Sequence, residues 1–96
     1  MNPQTSAYLE RRRQVLAEVR DILITRLKVE RAPEHIDPDA FLFGTGLGLD
    51  SVDAVELVVA LEQRLGLKLP EGARTLRSLR TVGTVIDQVL GVEEAP

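Results

Sequence analysis

Few residues in this 96-residue chain offer reactive chemistry, and the gaps narrow the reading at once. There is no cysteine, so the chain supplies no thiol nucleophile, no thiolate metal ligand and no disulfide. His35 is the single histidine and falls in a long connecting stretch. A serine nucleophile needs a base within reach, and nothing in the sequence brings His35 to one, so a Ser-His-Asp enzyme is poorly supported. Gly44-Thr45-Gly46-Leu47-Gly48 has the glycine density of a phosphate-binding loop, but it lacks a P-loop lysine and no strand precedes it. Ser51 remains. It follows the glycine-rich stretch and Asp50, at the start of a strongly periodic segment. A serine there ordinarily helps to cap a helix; its other use is as an exposed hydroxyl with no base beside it.

The elements that must position Ser51 read as all-α, a four-helix bundle in a single domain over 1–96, with a core from about 7 to 91. The first helix is predicted from about Ala7 to Lys28, capped by Ser6 or Thr5, with Leu9, Leu16, Val19, Ile22, Leu23 and Leu27 as its apolar stripe. A long first loop, Val29 to Leu49, carries Pro33 and Pro38 and is pinned by Ile36, Phe41, Leu42, Phe43, Leu47 and Leu49. Gly44, Gly46 and Gly48 permit tight or left-handed turns near its end. The second helix runs from Ser51 to Leu65 with Gly66 as its stop. A short third helix covers Arg74 to Leu79, after Pro70 and Gly72. The last runs from Val82 to Leu90, with Thr81 as cap and Gly91 as stop, leaving residues 92–96 as a frayed tail.

The second helix carries most information. At about 100° of rotation per residue, Ala54, Leu57, Val58, Leu61 and Leu65 share one arc, the core face. Val52, Val55 and Val59 share another, beyond Ser51, with Glu56 and Glu62 flanking it and Asp53 further round. Either both strips are buried in a central helix, or the second is a docking strip in which valines give contact area and rim acids orient a basic partner. A fully desolvated valine contributes about 1.5 kcal/mol, enough for a transient contact. Asp50 is placed as N-cap and Asp53 at the third helical position, both near the positive end of the helix dipole.

Charge locates the partner. Net charge is −3, and the excess lies in residues 41–72, with five acids against two bases; residues 1–40 and 73–96 balance. Phosphates want a basic face, so nucleic acid is not an expected partner. No apolar run spans a bilayer, and stable membrane insertion is not expected. The start lacks the pattern of a signal peptide, and Arg11-Arg12-Arg13 is followed by an amphipathic charged stretch rather than the apolar core of a twin-arginine signal. Lack of cysteine fits a reducing compartment, so the expected location is cytoplasmic, and the expected state is a monomer.

The segment from Gly48 through Asp50-Ser51-Val52 to Glu62 resembles the modification motif of acyl carrier proteins, in which Asp-Ser-Leu or a near variant opens the second helix. Ile36-Asp37-Pro38-Asp39-Ala40, Leu69-Pro70 and Thr81-Val82 are similar to that family's loop and later helix boundaries, so the likeness covers most of the chain. It implies a bundle of acyl-carrier type and a non-enzymatic role. Ser51 would bear 4′-phosphopantetheine from coenzyme A, holding acyl groups as thioesters, and Asp50 would help a phosphopantetheinyl transferase engage. Val52, Asp53, Val55, Glu56, Val59 and Glu62 would meet acyl-loading, condensing or acyl-transfer enzymes through their basic docking patches. The arm's thiol would supply the nucleophile that the protein lacks, and the bundle could part to hold an acyl chain.

There are departures from the family pattern. Val52 stands for the usual leucine, residues 44–48 are richer in glycine, and Arg74, Arg77 and Arg80 lie where carriers of primary fatty-acid synthesis tend to be acidic. They point to a specialised fatty-acid or polyketide-like pathway. Competing readings are a peptidyl or aminoacyl carrier, against which Asp50, Asp53 and Glu56 argue; an unmodified helical interaction module; and a helix-turn-helix DNA binder, against which the central acidity counts.

Overall fold

Three apolar helical stripes converge in the computed structural model of this protein, which describes residues 3–74 and 77–94. Helix α1 spans Pro3–Thr25, α2 spans Ser51–Leu65 and α3 spans Val82–Glu94, with two short 3-10 turns at Pro33–His35 and Glu71–Arg74. Val15, Val19, Ile22 and Leu23 of α1 meet Leu57, Val58 and Leu61 of α2 and Val82, Val85, Ile86 and Val89 of α3 in one core. Helices and 3-10 turns are the regular elements among the described residues, joined by loops that carry two isolated bridges.

Arginines sew the faces of α1 to its neighbours. Arg64 of α2 donates to Asp21 at 2.7 Å and stands 2.9 Å from Glu18. Arg11 pairs with Glu93, and Arg12 donates to Asp87 at 2.7 Å, tying the start of α1 to the end of α3. The guanidinium of Arg11 holds the Glu93 carboxyl below its ordinary range, against a smaller opposing effect of burial.

The long loop is held by backbone hydrogen bonds to the start of α3. Leu42 N–H donates to the Arg80 carbonyl (3.0 Å), Val82 N–H to Ala40 (3.2 Å) and Gly83 N–H to Pro38 (2.8 Å). Ile36, Leu42 and Leu49 are buried, as the sequence predicts, while Phe43 and Leu47 pack partly and Phe41 stays half exposed. The glycine stretch then folds back: Leu47 N–H donates to the Phe41 carbonyl (2.8 Å) and Leu49 N–H to Leu42 (2.9 Å). A Cβ at Gly46 would lie 1.9 Å from the Phe41 carbonyl oxygen, so no other residue fits there. Gly48 takes a left-handed φ of 73°, which glycine adopts without strain.

Several boundaries differ from the sequence expectation. Helix α1 begins at Pro3, so Thr5 and Ser6 lie inside it rather than capping it; proline is tolerated in a first turn, where its missing N–H has no partner to lose. It ends at Thr25 rather than Lys28, because Lys28 adopts φ 61° and turns the chain. Within the predicted third helix, residues 75 and 76 lie outside the described residues. Its flanks are the 3-10 turn Glu71–Arg74 and a non-helical turn at 77–79, and by Thr81 the chain is extended to bridge Phe41. Helix α3 runs through Gly91 to Glu94, where a stop and frayed tail were expected. Gly91 costs the helix about 1 kcal/mol, but beyond it Val92 packs on the core and Glu93 meets Arg11. Thr81 caps α3 as expected, its Oγ1 accepting from Thr84 N–H at 3.1 Å.

Candidate functional site

The start of α2 is set by a reciprocal pair of hydrogen bonds. Asp50 is extended and its Oδ1 accepts from the Asp53 N–H at 2.9 Å, while Asp53 Oδ2 accepts from the Asp50 N–H at 3.1 Å. Two N–H groups are thereby satisfied at a helix end, where they otherwise lack partners. Ser51 is the first helical residue and its side chain is exposed. Gly66, left-handed at φ 65°, closes the other end.

The helix buries Ala54, Leu57, Val58 and Leu61, and also Ala60, which the helical wheel left out; Leu65 is only partly buried. The second strip faces outward. Val52 is 72% exposed, Val55 56% and Val59 37%, against 1% for Val58. With Ser51, Glu56 and Arg26 these valines line a shallow apolar groove. Sequence reasoning missed Arg26, which stands 3.5 Å from Glu56. It is 25 positions from Ser51 in the chain and joins the groove only because α1 packs on α2, so no local pattern marks it.

The acids are not equivalent. Glu56 lines the groove, Asp50 and Asp53 each give one oxygen to the cap, and part-buried Glu62 accepts from the Leu69 N–H at 2.8 Å, holding the loop that follows α2. Of the arginines beyond α2, the side chain of Arg74 lies outside the described residues, Arg77 is exposed, and the Arg80 guanidinium sits 5.6 Å above the Phe41 ring. His35 ends a 3-10 turn and is not among the groove residues. Among the described residues no cluster of His, Cys, Asp or Glu suits a metal ion, and no helix is long and apolar enough to cross a membrane.

Ser51 places a hydroxyl at a helix start, open to solvent and beside an apolar groove. A helix N-terminus favours an anion, and the neighbouring carboxylates partly oppose one. Residues 17–89 match the family model described as the phosphopantetheine attachment site. The chain is 39% identical over 77 residues to an acyl carrier protein of Campylobacter hominis, covering 79% of this chain and 94% of that one. It is 36% identical over 74 residues to an acyl carrier protein of Thermosynechococcus vestitus, covering 77% and 85%, and 38% identical over 77 residues to one of Cyanidioschyzon merolae, covering 80% and 79%. This chain belongs to the acyl carrier protein family: it is a carrier rather than an enzyme, and its prosthetic group is 4′-phosphopantetheine.

Proposed function

We propose that Ser51 is the attachment residue and that the chain presents acyl groups to partner enzymes from the start of α2. The exposed Ser51 hydroxyl beside the outward valine strip carries this reading. The arm, when attached, supplies a thiol on which acyl groups are held as reactive thioesters. The chain's own residues do the rest. Asp50 and Asp53 hold the helix start rigid, so the hydroxyl stands in one place for a phosphopantetheinyl transferase. Val52, Val55 and Val59 give a partner an apolar seat, and Asp50, Asp53 and Glu56 steer its basic patch, with Glu62 at the far end. Acyl-loading, condensing and acyl-transfer enzymes are the partners this surface suits.

The exposed Arg77 and Arg80 support a specialised fatty-acid or polyketide-like pathway, since they would repel a uniformly basic patch. The reading includes a monomeric protein working in the cytoplasm. Co-expression with a broad-specificity phosphopantetheinyl transferase, followed by intact mass, tests the core of it. The wild type should gain the mass of the arm and Ser51→Ala should not. A wild-type chain left unmodified where a control carrier is modified would overturn the assignment. Normal elongation by purified enzymes of primary fatty-acid synthesis would overturn the specialised pathway.

A further inference from the structure

Among the described residues lining the groove beside Ser51, Arg26 is the one cation. Its backbone is fixed by the turn that ends α1. Arg26 and Leu27 N–H groups both donate to the Ile22 carbonyl (2.8 and 3.2 Å), and Val29 N–H donates to Leu23 (2.9 Å). The side chain then reaches α2, where Nε stands 3.5 Å from Glu56 Oε1, with side chains 46% and 42% exposed. That is ion-pair range without a well-formed hydrogen bond.

The contrast with Arg64 is informative. Arg64 already joins the same two helices, with contacts of 2.7 and 2.9 Å to Asp21 and Glu18. The looser Arg26–Glu56 pair is not needed for that purpose, yet it occupies the rim of the valine strip. An exposed pair of this kind adds little to stability, but charges on a docking rim govern encounter rate and partner choice.

We infer that Arg26 is a specificity residue of the docking face. It holds Glu56 away from uniformly basic partners and adds a positive charge at the Glu56 edge. The face therefore fits a partner whose patch is cationic opposite Asp50 and Asp53 and carries a carboxylate opposite Arg26. This inference rests on the strip being the docking surface proposed above.

The test uses the full chain and, as probe, a broad-specificity phosphopantetheinyl transferase with a basic docking patch. At low salt, Arg26→Gln should raise kcat/KM for modification by about three- to tenfold, and Arg26→Glu by more. The gain should fall away in high salt, where exposed charges are screened. In an Glu56→Gln background, Arg26→Gln should give a smaller gain, because there is no longer a carboxylate to release. Reversing single cations of the transferase patch to glutamate should yield a variant that prefers wild type over Arg26→Glu. Thermal melting should be the same for all carrier variants. If Arg26→Gln leaves kcat/KM unchanged or lowers it, or if no reversed transferase prefers the wild type, the inference fails. Val55→Asp separates the two levels: no effect of Val55→Asp on kcat/KM would sink the docking strip itself. A loss with Val55→Asp and no response to Arg26→Gln would sink only the role of Arg26.

Discussion

Helix α2 has two apolar faces with opposite fates. Leu57, Val58 and Leu61 are buried against α1 and the rest of the core, while Val52, Val55 and Val59 look outward over a groove. Valine is common to both faces, so hydrophobicity alone does not distinguish them. Their neighbours do. The inner face meets other aliphatics, and the outer one is edged by Ser51, Glu56 and Arg26. The difference teaches that the inner face holds the bundle together and the outer one is available to a partner.

Substitutions on each face can break that division or sharpen it. The largest effect is expected at the hinge between the faces. Ser51→Ala should abolish mass gain completely with a transferase while leaving the melting temperature unchanged, since the exposed hydroxyl makes no hydrogen bond that the cap depends on. Next, Leu61→Ala should lower the unfolding free energy by about 2–5 kcal/mol, whereas Val55→Ala should change it by less than about 0.5 kcal/mol. Urea denaturation measures both, and a comparable loss at Val55 would mean that the outer strip is structural. Asp50→Ala removes one half of the reciprocal cap and should cost about 1 kcal/mol by the same measurement.

The smallest effect lies away from α2. Arg11 lowers the Glu93 pKa in the folded protein, so this pair contributes stability above the ordinary carboxylate range and loses it as pH falls through the depressed value. Both groups are partly exposed, and the contribution should stay under about 1 kcal/mol. Acid titration of wild type against Glu93→Gln should show a difference in stability that shrinks below about pH 4. A difference that grows with acid would contradict the pairing.

Much of the site was legible before the fold. Asp50, Ser51 and Asp53 lie within four residues, and a cap needs only local backbone geometry, so the start of α2 came out as predicted. The outward strip is legible in the sequence as an arc, but its burial is a matter of packing: Val52, Val55 and Val59 stay exposed while Leu57, Val58 and Leu61 are covered. Boundaries away from the site were less legible. Gly91 looked like a stop because glycine weakens a helix locally, yet contacts of Val92 and Glu93 carry α3 on. Of the short helix predicted from Arg74 to Leu79, Arg74 belongs to a 3-10 turn and 77–79 form a turn, while residues 75 and 76 lie outside the described residues.

What the sequence by itself determined is therefore the chemistry. The chain has no protein thiol, its one histidine stands outside the helix that carries Ser51, and that serine opens, behind the cap Asp50, a helix with two apolar arcs. These properties reside in residue types and in hydrogen bonds between near neighbours. Only the tertiary structure decided which arc faces solvent, why Gly46 must be glycine beneath the Phe41 carbonyl, and that Arg26 joins Glu56 on the rim. Those outcomes depend on atoms far apart in the chain meeting across packed helices, and neither periodicity nor spacing encodes such a meeting.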